Sequence, residues 1–163
     1  MGLKWSDIKS EILSPDEYLE KYKGKSEIMK NYEKYVPKSK HVKKILNILH
    51  SNQDGLKILA MGAEWCHDCA EQVPSMIKLI KELNSDEIEM KILYGIKVNA
   101  FRKPGDILWD KKHSVPEAVD PKFNLEAIPT FYFFKDDELI GRIVEHPNFL
   151  SSLEKDFCNI LKK

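Results

Sequence analysis

An apolar run that leads into two closely spaced cysteines constrains the fold of this chain more than any other feature. Residues 56–62 are apolar almost throughout and predict a central strand, and helical periodicity begins after Cys66 and Cys69. A thiol in the first turn of a helix lies beside unpaired N–H groups and the positive end of the helix dipole, which favours the thiolate. The junction therefore predicts a redox site in an α/β fold.

Length and charge narrow the class of protein. The 163 residues suffice for one domain with a full core, and 26 basic side chains balance 26 acidic ones, so no overall field attracts nucleic acid or an anionic membrane. No apolar stretch approaches the roughly 20 residues of a membrane helix, and residues 1–10 lack the apolar core of a secretory signal. Three cysteines are too few for a secreted disulfide framework. We expect a cytoplasmic protein without nucleic-acid or membrane partners.

The amino-terminal third of the chain predicts helices and carries no β signal. Ser14 is a helix cap, followed by proline at the first helical position and by Glu17 three residues after the cap. Further helices are predicted over 26–35 and 39–51, the second from apolar residues at i, i+3, i+4 and i+7. These helices form an amino-terminal extension.

We divide the chain into the helical extension, residues 1–53, packed on a domain that covers residues 54–163, with a turn over 52–55 between them. Beyond the cysteines the predicted elements alternate in type. In chain order they are a helix interrupted by Pro74, a strand within 88–98, a long loop over 101–124, a hairpin of strands 130–134 and 138–144, and a helix from Pro147. This order predicts an α/β fold with an antiparallel pair at its end.

Three matched segments give the chain a family resemblance. Ala63-Glu64-Trp65-Cys66-His67-Asp68-Cys69 resembles the active-site segment of thioredoxins, and Pro74 matches the kinking proline of their active-site helix. The segment 121–130, which contains Ile128-Pro129-Thr130, resembles the thioredoxin segment that ends in a cis-proline. The resemblance covers residues from 56 onward. It implies a thioredoxin-like α/β fold, a central mixed β-sheet flanked by helices, to which the extension is an addition.

The resemblance also implies a thiol-disulfide oxidoreductase. Cys66, which we expect to be a solvent-exposed thiolate, would attack a substrate disulfide, and Cys69 would resolve the mixed disulfide held at Ile128 and Pro129. The substrates would be proteins or small molecules that contain disulfides. Electrons would come from a separate reductase or from a low-molecular-weight thiol, and no bound cofactor or metal is required.

The two residues between the cysteines differ from the Gly-Pro of thioredoxins. A protonated His67 would stabilise the thiolate of Cys66 and make the disulfide more oxidising, whereas the charge of Asp68 would oppose it. The sequence does not rank these two effects.

Four further residues are predicted to line the substrate groove. Trp65 would form an apolar wall, and the backbone of Ile128, before Pro129, would pair with an extended substrate strand. Glu145 stands where thioredoxins have a groove glycine, so a charge there would narrow the groove and select among substrates.

Two more departures from the family concern residues before the cysteines. Ala60 replaces the buried aspartate credited with accepting the proton of the resolving thiol, a role left to Asp68, Glu64 or a water molecule. Gly62 replaces an aromatic residue and is predicted to open space near the site.

Other functions remain open for the cysteine pair. The thiols could be buried and inert, or the fold could be an adaptor module whose pair senses redox state or binds metal. A structural zinc site usually needs four protein ligands, and only Cys158 and scattered histidines remain to complete one. An iron-sulfur cluster shared between two chains is a variant of the metal-binding hypothesis. A peroxidase-type role ranks last.

Overall fold

In the computed structural model, which describes residues 2–52, 55–148 and 150–162, four strands form one mixed sheet. The strands are β1 (Leu56–Met61), β2 (Ile88–Leu93), β3 (Thr130–Lys135) and β4 (Glu138–Val144), in the spatial order β2-β1-β3-β4. Strand β1 pairs in parallel with β2 and antiparallel with β3, and β3 pairs antiparallel with β4. The predicted mixed sheet is confirmed.

Five α-helices surround this sheet in the described part of the chain. They are α1 (Pro15–Lys21), α2 (Ser26–Lys34), α3 (Ser39–Asn52), α4 (His67–Leu83) and α5 (Leu153–Leu161). The predicted capping box is present, since Ser14 and Glu17 bond to each other's backbone N–H groups. Of the turn predicted over 52–55, Gln53 and Asp54 lie outside the described residues. No helix in the described ranges has the length and apolar character needed to cross a membrane.

The last helix begins later than predicted. We expected it to start at Pro147, but α5 begins at Leu153, with Ser152 as its cap. The backbone N–H of Asn148 donates to the carboxylate of Asp156, and the hydroxyl of Ser151 donates to the same group. These bonds satisfy backbone and side-chain groups just before the cap, and residues 147, 148 and 150–152 are not helical. Phe149, which the predicted helix also covers, lies outside the described residues.

The prediction of an amino-terminal third without β structure was wrong for residues 2–14. This segment contains a short 3-10 helix over Trp5–Asp7 and one isolated β-bridge on each side of it. Lys4 forms a bridge with Glu138 on the outer strand β4, and Leu13 exchanges two hydrogen bonds of 2.9 and 2.8 Å with Ile92 on the other outer strand, β2. Outer strands carry unpaired backbone groups, which an extended segment can satisfy regardless of its own weak β signal.

The two faces of the sheet are covered by different parts of the chain. Along β3, Phe133 contacts the ring of Phe157 in α5, with centroids 5.0 Å apart. The next residue, Phe134, points to the opposite face and contacts the ring of Trp5 at 5.5 Å. Helices therefore cover one face, and the amino-terminal segment covers part of the other.

Two buried carboxylates attach the extension to the rest of the chain. Glu154 in α5, 3% exposed, accepts hydrogen bonds from the hydroxyl of Tyr35 and the N–H of Lys38. Glu117, also 3% exposed, accepts from the segment 9–10. Burial would raise the pKa of both groups, but these hydrogen bonds outweigh it and lower the pKa below its usual value.

Candidate active site

Cys66 is the amino-terminal cap of α4. Its sulfur accepts a hydrogen bond of 3.1 Å from the backbone N–H of Cys69, and its thiol lies 3.6 Å from the carbonyl oxygen of Ile128. The cap residue has extended backbone angles, so the end of β1 and the start of α4 place this sulfur among N–H groups that lack helical partners. All three cysteines of the chain carry free thiols.

The pKa values of the two thiols are shifted in opposite directions. Hydrogen bonding from the Cys69 thiol lowers the pKa of Cys66 to about 7, against the opposing effects of burial and of the charge on Asp68. Burial raises the pKa of Cys69 far above its usual value, and its bond to Cys66 raises it further. Cys66 is thus the thiol that ionises near neutral pH, in agreement with its predicted role as nucleophile.

The expected exposure of Cys66 was overestimated. Only 8% of its surface is accessible, while Cys69 has none. The side chain is covered because its sulfur bonds on one side to the first turn of α4 and on the other faces the carbonyl of Ile128. A substrate disulfide would therefore reach the sulfur through a narrow opening.

Replacing Cys69 by alanine should shift the ionisation of Cys66. The variant loses the strongest of the interactions that favour the thiolate, so we expect the pKa of Cys66 to rise from about 7 toward its usual value of 9.0. Less thiolate at pH 7 means slower alkylation. The pH dependence of alkylation by iodoacetamide, measured in C69A/C158A and in C158A alone, checks this shift, and an unchanged midpoint would contradict it.

The peptide bond between Ile128 and Pro129 is cis, and the residue that follows β4 is hydrogen-bonded to this loop. The N–H of Glu145 donates a hydrogen bond of 2.6 Å to the carbonyl oxygen of Pro129. Glu145 has a left-handed backbone with φ of 68°, a conformation that favours glycine. The structure thus brings three predicted groove residues beside Cys66 or beside one another, and their role in substrate binding stays a prediction.

Trp65 lies at the surface beside the first cysteine. Half of the residue, 51%, is exposed, and the indole N–H donates a hydrogen bond of 2.8 Å to the carbonyl oxygen of Ile96. The side chain is therefore not part of the core. Because the hydrogen bond fixes its orientation, it offers a rigid apolar surface next to Cys66.

The two residues between the cysteines, His67 and Asp68, differ in their electrostatic surroundings. A ring nitrogen of His67 lies 2.8 Å from the carboxylate of Glu27 on α2, and both side chains are largely exposed. The largest lowering of the Cys66 pKa comes from Cys69. A stabilising effect of a protonated His67 on the thiolate stays a prediction. The predicted opposition from Asp68 is present as a raising effect.

Gly62 does not open space near the site, as we had predicted. A Cβ atom built at this position would lie 2.8 Å from the sulfur of Cys69 and 3.0 Å from a ring carbon of Tyr94. The ring of Tyr94, from the loop after β2, fills the volume that a larger residue would take.

The extension contributes contacts around the site that the sequence analysis missed. The hydroxyl of Tyr22 donates a hydrogen bond of 2.8 Å to Glu64, and the amide of Asn31 donates one of 3.0 Å to the carbonyl of Ala70 in α4. The hydroxyl oxygens of Tyr18 and Tyr94 lie 3.0 Å apart. Tyrosines spaced four apart on one helix, at 18 and 22, indicate a buried face, but not what covers it.

A structural metal site at the cysteine pair would need further ligand side chains nearby. Within residues 2–52, 55–148 and 150–162, no group of three or more histidine, cysteine, aspartate or glutamate side chains could hold a metal ion. Cys158 is buried in α5 and 2% exposed.

Similar proteins are known by sequence and by structure. The thioredoxin-like protein Clot of Arabidopsis thaliana is 27% identical over 92 residues, which are 56% of this chain and 61% of that protein, so less than two thirds of the relative is spanned. A Pseudomonas aeruginosa protein of unknown function superposes with a TM-score of 0.54, 17% identity, and coverage of 99% of this chain and 91% of that one. An HIV epitope scaffold superposes with a TM-score of 0.51 and 16% identity, and the match covers 98% of this chain and 83% of that one.

A sequence profile described as Thioredoxin matches residues 12–95. This match begins before α1, so the relationship includes most of the extension. The motifs had indicated a resemblance only from residue 56 onward. It spans more than half of the chain and contains both Cys66 and Cys69. The chain therefore belongs to the thioredoxin family.

Proposed function

We propose that this protein is a thiol-disulfide oxidoreductase that exchanges the Cys66–Cys69 pair with disulfides of proteins or small molecules. The observation that carries the proposal is the unequal pair at the start of α4. One thiol has a pKa of about 7 and lies at the helix cap, and the other is buried and hydrogen-bonded to it. An inert structural pair has no need of such an arrangement, whereas an attacking and a resolving thiol require it.

The cycle begins at Cys66. Its thiolate attacks one sulfur of the substrate disulfide, a new bond forms between them, and the other substrate sulfur leaves as a thiolate that takes up a proton. Cys69 then attacks the sulfur of Cys66, and the proton that it gives up passes to the substrate sulfur that leaves. The Cys66–Cys69 disulfide forms, the second substrate sulfur leaves as a thiol, and two electrons have passed to the substrate.

The surroundings of Cys66 supply the groove for this exchange. Ile128 has its carbonyl oxygen 3.6 Å from the attacking sulfur, so its backbone lies where the substrate chain would be joined. A peptide held there in extended form could pair with the backbone at Ile128 and Pro129. Trp65 would contact its apolar side chains, and Glu145 would favour substrates that carry positive charge nearby.

The oxidised pair must be reduced again for a second turnover. We propose that the electrons come from a separate reductase or from a low-molecular-weight thiol, in the cytoplasm, where thiols are kept reduced. The chemistry of the pair needs no further cofactor.

Redox titration of the purified protein against glutathione buffers tests the proposal. We expect one two-electron couple assigned to Cys66 and Cys69 by mass spectrometry. The Cys69→Ser variant should retain the first attack and accumulate a mixed disulfide with a disulfide-containing peptide, because nothing resolves it. A pair that does not titrate, or purified protein with stoichiometric zinc bound to it, would contradict the proposal and favour the adaptor hypothesis.

A further inference from the structure

Two tyrosines lie behind Cys69, and the cycle above assigns them no part. Tyr18 in α1 is fully buried, and Tyr94 follows β2. Their hydroxyl oxygens are 3.0 Å apart, and their rings meet edge to face with centroids 5.5 Å apart. One phenol comes from the extension and the other from the loop after β2, so the pair joins the two parts of the chain beside the cysteines.

The ring of Tyr94 and the sulfur of Cys69 both lie beside Gly62. A Cβ atom at that glycine would lie 2.8 Å from the sulfur and 3.0 Å from the Cε1 atom of Tyr94. Both atoms thus border the same small space. Cε1 is the ring carbon next to the one that carries the hydroxyl, and contacts between sulfur and an aromatic ring edge are favourable. Tyr94 is therefore a neighbour of the resolving sulfur on the side of Gly62.

The resolving step places charge where water does not reach. Cys69 has no accessible surface, and its sulfur becomes negative as its proton leaves and before the bond to Cys66 is complete. A developing buried charge is costly unless a dipole lies near it. Burial raises the pKa of Tyr18 and Tyr94, and negative charge on Cys69 raises it further, so both phenols stay neutral and interact with the thiolate.

We propose that Tyr94 and Tyr18 are positioning residues for the resolving step. The ring of Tyr94 holds the sulfur of Cys69, and the hydroxyl pair supplies an uncharged dipole next to that sulfur when it ionises. The inference rests on the proposed function. It also gives the extension a part in the chemistry, because Tyr18 belongs to α1.

The test separates the two thiol steps in one reaction. One equivalent of dithionitrobenzoate, an aromatic disulfide that releases a coloured thiolate, is mixed with the reduced protein in a stopped-flow instrument. The first release of colour reports the attack by Cys66, and the second reports the displacement by Cys69. We expect Y94F and Y18F to keep the first rate and to slow the second by about tenfold, because each removes a hydroxyl of the pair.

The control variant is Y132F. Tyr132 is also fully buried, and its hydroxyl donates a hydrogen bond of 2.8 Å to the carbonyl of Phe123, but the charges that act on it are those of Arg142 and Glu126 and not the cysteines. Both of its phases should match the wild type. An unchanged second phase in Y94F and Y18F, or an equal slowing in Y132F, would overturn the inference alone. A wild type without a second phase would overturn the proposed function as well.

Discussion

Serine in place of Cys66 is expected to abolish disulfide exchange. A serine hydroxyl stays protonated at neutral pH and cannot form a disulfide, so both steps of the cycle are lost. We expect the rate of substrate reduction to fall by at least about a thousandfold, the scale seen when a covalent nucleophile is removed. The measurement is reduction of insulin disulfides with dithiothreitol as electron donor, followed by turbidity.

Two comparisons make this result specific. The Cys158→Ala variant should keep the wild-type rate, because Cys158 is buried in α5 and lies outside the cysteine pair. Circular dichroism of C66S should match the wild type, since serine can also cap the helix through the N–H of Cys69. Residual exchange in C66S within tenfold of the wild-type rate would mean that another thiol is the nucleophile.

Alanine in place of Gly62 is expected to destabilise the protein and to disturb the cysteine pair. The added methyl group would overlap the sulfur of Cys69 at 2.8 Å and crowd Tyr94 at 3.0 Å. Overpacking of this kind costs about 1–3 kcal/mol of the free energy of unfolding. Urea unfolding of the reduced protein measures the loss, and the rate of insulin reduction should fall with it because the resolving sulfur is displaced.

Gly24 provides the matched control for this substitution. A Cβ atom at Gly24 would have nothing within 4 Å, so G24A should change the free energy of unfolding by no more than about 0.5 kcal/mol. If G62A loses no more stability than G24A, the side chains around Gly62 can move to accept the methyl group. The sulfur of Cys69 would then be held less firmly than the structure indicates.

The features predicted correctly from the sequence are those whose causes lie close together along the chain. The capping box at Ser14, the hairpin around Asp136 and the cap position of Cys66 each depend on residues within one or two turns. Local preferences of this kind are legible in a single sequence because the partner residues are neighbours.

The features that were missed depend on partners far away in the sequence. The bond between Tyr35 and Glu154 joins residues 119 positions apart, and the hydroxyl pair of Tyr18 and Tyr94 joins residues 76 apart. The prediction for Gly62 failed for this reason, since the missing side chain suggested a void and only the fold shows which ring fills it. A sequence pattern reports that a face is buried, but seldom against what.

The contacts of Lys4 and Leu13 bear on how the chain could be divided. Lys4 pairs with the outer strand β4 and Leu13 pairs with the outer strand β2, so one short segment covers part of both sheet edges. A shorter protein that begins after residue 53 would lack this segment, and the backbone groups of β2 and β4 that it pairs with would be exposed. Bare margins invite strands from neighbouring molecules, so such a fragment would tend to join with its own copies and precipitate.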